Sequence, residues 1–276
     1  MKRMNRNLLL AGTGVASLFL MTPQAAAQTG VYVLNPAGTG EFSGTVDVRT
    51  SNLNINGTFN PHGAADVRAV TANVGSITNP GNFTGILNEG VTDTADPLAS
   101  LPTPVWDPAI DLGTVDMSGG STVLSPGFYS GGISLTSSAI VFLDPGLYIL
   151  DGFGLDLAGQ SSIFGQGVTL FITGTGRVDM TGSGSVNLVP PDGGVYRDIL
   201  LFVDRDTGAD VDMSGGGEFK TNGKLYAPAS KVNISGTASA SGDPRFGWLL
   251  VCKDLRLGGT GTISFLRMPA GEGAFD

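Results

Sequence analysis

Four aspartates stand within nine residues in the stretch Asp204-Arg205-Asp206-Thr207-Gly208-Ala209-Asp210-Val211-Asp212. Carboxylates this close together can act as general acid and base, or supply the oxygen ligands that a hard cation such as Ca2+ takes. Arg205 is the kind of group that would hold an anionic sugar beside them. Asp204 and Asp206 share one strand face if the strand before them runs on, with Arg205 on the other. The competing reading is a corner network, in which the carboxylates accept backbone N–H bonds or pair with Arg205 where the chain turns. Asp204, Asp206, Asp210 and Asp212 are thus the candidate Ca2+ ligands, and no catalytic set is assigned.

Other chemistries find less support. His62 is the only histidine and sits in the turn Asn60-Pro61-His62-Gly63, so a histidine-based zinc cluster cannot form. Cys252 is the only cysteine, which rules out an intramolecular disulfide; the apolar run Trp248-Leu249-Leu250-Val251-Cys252 reads as placing it in the core, the alternative being a reactive or intermolecular thiol. The strained Gly-x-Ser-x-Gly elbow of α/β-hydrolases is absent, although triads on other folds do without it. Thr173-Gly174-Thr175-Gly176 follows a strand but opens no helix, so phosphate cradling is not supported.

The elements that position these residues come from a repeated phrase. Two apolar residues flank one variable residue, and a small residue follows, usually with Gly after it. It occurs at Leu53-Asn54-Ile55, Val115-Asp116-Met117, Ile133-Ser134-Leu135 and Leu155-Asp156-Leu157, then at Val178-Asp179-Met180, Val211-Asp212-Met213, Val232-Asn233-Ile234 and Leu255-Arg256-Leu257. Residues i and i+2 of a strand face one way, so each phrase is a short strand with two inward apolar side chains. From Val115 onward the phrases are 18, 22, 23, 33, 21 and 23 residues apart. That is the length of a parallel β-helix turn, and the spacing predicts an all-β, right-handed parallel β-helix. Between the phrases lie nearly continuous apolar runs such as Val168–Ile172 and Ile199–Val203, which suit parallel strands buried from both sides. Pro126-Gly127 and Pro145-Gly146 mark equivalent corners. In register, the middle residues Asp116, Asp156, Asp179 and Asp212 form an outward acidic ladder, interrupted by Ser134, Asn233 and Arg256. Like charges one rung apart repel, which bound cations or solvation must offset.

The chain opens with Lys2, Arg3 and Arg6, an apolar stretch from Leu8 to Met21, and Ala25-Ala26-Ala27, the layout of a secretory signal peptide over residues 1–27. Its removal leaves 249 residues with 12 basic against 24 acidic side chains, a balance that argues against nucleic acid. Residues 28–92 read as an N-terminal β section, 93–108 as a Pro-rich connector and 109–276 as the main stack. The insertion at residues 189–198, with two prolines and a glycine pair, reads as a loop leaving the stack, where binding would sit.

Several stretches, in order, resemble exported bacterial proteins related to the Tad (Flp) pilus-assembly protein TadG. They are residues 96–104 (Asp96-Pro97-Leu98 onward), 124–133 (Leu124-Ser125-Pro126-Gly127-Phe128-Tyr129 onward), 143–152 (Leu143-Asp144-Pro145-Gly146-Leu147-Tyr148 onward), 167–171, Asp204-Arg205-Asp206 and Gly223-Lys224-Leu225-Tyr226-Ala227-Pro228. The resemblance implies a surface or pilus-associated β-helix without established catalytic residues. Many such proteins keep an N-terminal membrane anchor and carry cysteine where this chain has Ser130. The expectation is an exported, non-enzymatic structural or adhesive protein at the cell surface, outside the cell or in the periplasm. Its partners would be an envelope protein or polysaccharide, with self-association through open strand edges and no membrane span once the signal is cleaved. The alternative is a carbohydrate-active or carbohydrate-binding β-helix.

Overall fold

Each turn of the chain lays down three short strands, and the turns stack in parallel into a β-helix of about ten turns in the computed structural model. The structure describes residues 29–216, 218–221, 223–236, 249–260 and 262–265. The expected signal peptide and Trp248 lie outside them.

The phrases supply one ladder. Thr114–Met117, Gly132–Leu135, Gly154–Leu157, Arg177–Met180 and Val211–Met213 pair in sequence, followed by the second halves of Lys224–Ile234 and Leu249–Leu257. Val115, Ile133, Leu155, Val178 and Val211 are register partners, so the inward pairs form continuous apolar columns along the core. The apolar runs supply a second ladder, from Gly127–Tyr129 through Gly146–Leu150, Val168–Ile172 and Ile199–Val203. A third runs from Ser121–Leu124 to Glu218–Thr221.

Corners hold the register. Gly146 has φ 149, and a Cβ there would collide with the Pro126 ring of the turn before, so the Pro-Gly corners stack only because the second residue is glycine. Tyr129 and Tyr148 lie beside these corners with ring centroids 6.1 Å apart. Both rings are buried and both hydroxyls donate to corner carbonyls, Tyr129 to Ser125 O at 2.6 Å and Tyr148 to Leu124 O at 2.7 Å.

The N-terminal section is placed where spacing alone could not put it. Gly30–Val33 pairs with Leu249–Cys252 on one side and with Leu53–Ile55 on the other. The first turns of the chain therefore continue the stack beyond its C-terminal strands, and Thr39–Phe42 and Asp47–Pro61 extend the Leu249–Leu257 and Thr262–Phe265 edges. The phrase Leu53-Asn54-Ile55 thus belongs to the second ladder, while the other seven share the first.

This arrangement forces the connector to travel back along the molecule. Phe83–Glu89 forms the last turn and Thr114–Met117 opens the first. Nine rung steps span about 43 Å. The roughly 25 intervening residues reach about 80 Å when extended, so the return fits with slack. It runs outside the second ladder as a strap.

Candidate functional site

The strap lies on a column of outward side chains. Phe128, Ile149, Phe171, Phe202, Tyr226, Val251 and Tyr32 are successive register partners, and the column then changes to Asn54, Asn73 and Asn88. The apolar part is covered: Leu98, Leu101 and Trp106 pack against it. The Trp106 ring lies 5.8 Å from Phe128 and 5.9 Å from Phe171. Past the strap the asparagines bond to one another, Asn73 Nδ2 to Asn54 Oδ1 at 2.8 Å and Asn88 Nδ2 to Asn73 Oδ1 at 2.9 Å. At the changeover Asn56 both donates to Thr94 O and accepts from Thr94 N.

Arg205 fastens the strap. Its guanidinium carbon sits 5.0 Å from the ring centroids of both Phe202 and Tyr226. It donates to Tyr226 OH at 2.9 Å, Thr103 Oγ1 at 3.1 Å, Leu98 O at 3.2 Å and Leu101 O at 2.7 Å. Tyr226 in turn donates to Asp96 Oδ2 at 2.7 Å. Burial pushes the Tyr226 hydroxyl well above its ordinary pKa, and the Asp96 carboxylate adds to this while Arg205 opposes it. A planar cation with a rigid fork of donors suits a place that needs ring contact and several carbonyl bonds together.

The aspartates around Arg205 do not converge. The strand ends at Val203, so Asp204 and Asp206 share no strand face. Asp204 instead closes the corner, accepting from Thr173 Oγ1 at 3.0 Å and from the Asp206 backbone N–H at 3.3 Å. Asp206 and Asp210 are exposed, and Asp212 stands in the phrase column. Among the described residues, no group of three or more His, Cys, Asp or Glu side chains is placed to hold a metal ion.

The acidic column has the register its sequence implies: Asp116, Ser134, Asp156, Asp179, Asp212, Asn233, Arg256 and Glu41 are successive partners. The interrupting residues ease the repulsion. Ser134 donates to Asp156 at 3.2 Å, Asn233 donates to Asp212 at 3.1 Å, and Arg256 pairs with Glu41 at 3.7 Å. Asp179 pairs with Arg177 at 3.6 Å. One oxygen each of Asp179 and Asp212 is shielded from water with no hydrogen-bond partner.

The remaining candidates are structural. The 189–198 insertion folds back, with Asp198 N donating to Pro191 O and Tyr196 packing on the aromatic column. His62 contacts Asn60 O and lies 3.8 Å from Glu41. Cys252 is fully buried, and burial, with Asp254 adding, pushes its thiol well above the ordinary range. Ser130 donates to Asp111 at 2.6 Å; this bond and the N–H groups of Gly113 and Ser130 hold the Asp111 carboxyl below its usual range.

One surface feature escaped the sequence reading. On the third ladder Phe142 and Phe164 stack in adjacent rungs, centroids 5.4 Å apart at 23°. With Leu143, Gly165, Gln166 and Asn187 they line an open hollow of about 320 Å3. The signal lay in Ile140–Leu143 and Ser162–Gln166, where one outward position of each strand is aromatic. No protein-family model matches the chain, and no curated protein or solved structure matches it either.

Proposed function

We propose that the protein is an exported, non-enzymatic β-helix with a structural or adhesive role at the cell surface. The observation that carries this is the use of Arg205. Arg205, which stands among the four aspartates of residues 204–212, binds the chain's own strap, and the neighbouring aspartates serve a corner, the solvent and a separate column. A stiff stack about 43 Å long with a polar, acidic exterior suits a spacer or scaffold. Association with a pilus rests on the resemblance to TadG-related proteins alone. Among the described residues no helix is long and apolar enough to cross a membrane. The test is a broad polysaccharide panel incubated with the purified chain. No cleavage is expected; cleavage that Asp204→Asn/Asp206→Asn abolishes would overturn the proposal.

A second reading is carbohydrate binding, favoured by the stacked Phe142–Phe164 pair with Gln166 and Asn187 beside it. Partly exposed rings give an apolar surface for the C–H face of a sugar, and the amides give hydrogen-bonding partners. The outward positions around them, Ser121, Val123, Ile140, Ser162 and Ser185, carry no charge, which suits a neutral glycan. Titration calorimetry against neutral oligosaccharides, with Phe142→Ala/Phe164→Ala as control, decides it; equal signals from both proteins would remove this reading.

A further inference from the structure

The N-terminal turns meet the rest of the stack across a seam of strand pairing that the chain itself bridges through the strap. Gly30–Val33 lies in register on Leu249–Cys252, and Gly40–Phe42 on Leu255–Leu257. The strands on one side of this seam are the first synthesised and those on the other side are the last. The first section therefore waits with an unpaired edge until the stack it belongs on is complete, the situation in which a neighbouring copy competes. The strap that ties the two parts is fixed by side chains, chiefly Arg205, Tyr226 and Trp106. Among the described residues, the main-chain to main-chain bonds of residues 93–110 are local turns within the strap. Where it meets the first turn, Asp107–Ile110 forms an exposed turn. In and beside it Val105, Ile110 and Leu112 stand in solvent at 91%, 68% and 47% exposure, a concentration of apolar surface at one open end of the stack.

We propose that the Leu249–Leu257 edge is an exchange site for the N-terminal turns of a second copy of this chain, with the strap as the latch that slows the exchange. An incoming section lays the same strands on the same edge, and its strap follows the acceptor's aromatic column with the same contacts. Only the Asp107–Ile110 turn changes, crossing to its own first turn. This brings the two first turns end to end in a closed two-fold pair and covers the exposed apolar residues there. Because the seam contacts are common to both forms, concentration sets the extent of exchange and the latch sets its rate. The inference is independent of what the surface binds.

The register offers a direct probe, since Val33 is the partner of Cys252, the chain's one cysteine. Full-length Val33→Cys is refolded reduced at a series of concentrations, then oxidised, diluted and mapped on non-reducing gels. The expected result is a disulfide between positions 33 and 252 that is intrachain at low concentration and increasingly interchain at high concentration. The interchain species should have a scattering maximum dimension near twice that of the monomer. Adding Arg205→Ala should let native monomer reach the same interchain fraction without denaturant, at least tenfold faster than Val33→Cys alone. Trp106→Ala replaces Arg205→Ala if that variant does not fold. An intrachain link alone at every concentration overturns the proposal. So do interchain links joining two copies of the same position, which mark adventitious cross-linking.

Discussion

Replacing Arg205 by alanine removes four hydrogen bonds, two of them to the main-chain carbonyls of Leu98 and Leu101, together with a cation held between two rings. Bonds from a charged donor contribute about 1.5–3 kcal/mol each, and a ring contact of this kind about 0.5–1 kcal/mol. These terms share one side chain and do not add, and the freed carbonyls are near enough to the surface to regain water. A net loss of about 3 kcal/mol follows, at the upper end of what single substitutions do. For a chain of this size that lowers Tm by roughly 6–12 °C. The loss is also local: the strap opens before the stack does. Hydrogen exchange of residues 94–106 should therefore rise in the variant while the strands Val168–Ile172 and Ile199–Val203 keep their protection. Arg205→Lys keeps the charge but not the planar fork, and should recover less than half the loss. A variant that melts within about 1 °C of the parent, with strap exchange unchanged, would refute the latch (a shift that small is under about 0.5 kcal/mol).

Three further outcomes are expected. All five tyrosines have their pKa raised by burial, so each stabilises the fold below its unfolded pKa of about 10, and that contribution is lost as pH rises through the folded value. Tyrosinate absorbance should then appear together with loss of the β-sheet circular dichroism signal; ionisation near pH 10 with the fold intact would contradict this. Asp212→Asn removes one like charge from adjacent rungs and offers a donor toward Asp179, whose shielded oxygen lacks one. It should stabilise by about 0.5–1 kcal/mol at low salt, less at high salt, as chemical denaturation will show. Cys252 should resist aromatic disulfide reagents in the native protein and react only on unfolding; rapid labelling would place it at the surface.

Much of the stack was legible because its code is local. The pair Val178 and Met180 with Asp179 between them states a strand, its inward face and its rung, and the 21–23-residue spacings state the stacking. The runs Val168–Ile172, apolar but for Thr169, and Ile199–Val203, apolar throughout, stated that something covers them. What covers them was not legible. Leu98, Leu101 and Trp106 follow no period, because a strap held by side chains obeys no strand alternation. The pairing of Gly30–Val33 with Leu249–Cys252 was hidden for a related reason: any inward Val-x-Val fits any rung, so the phrase fixes the face but not the neighbour. The same degeneracy misassigned Leu53-Asn54-Ile55. Arg205 and Asp204 looked like chemistry because a corner and a latch need the same charged groups that a site does. What separates Arg205 from a site residue is a set of contacts more than 100 residues away in the chain, and for Asp204 it is a bond from Thr173, 31 residues back.

The claim on which the rest depends is that the first strand completes the stack at its C-terminal edge. Val33 and Cys252 are both buried and directly partnered, about 4.8 Å apart across a parallel rung, within the range a disulfide bridges. Val33→Cys refolded at high dilution in an oxidising glutathione buffer should lose both thiols, remain monomeric and yield a single peptide linking positions 33 and 252. Two free thiols persisting in a folded monomer would contradict the closed stack.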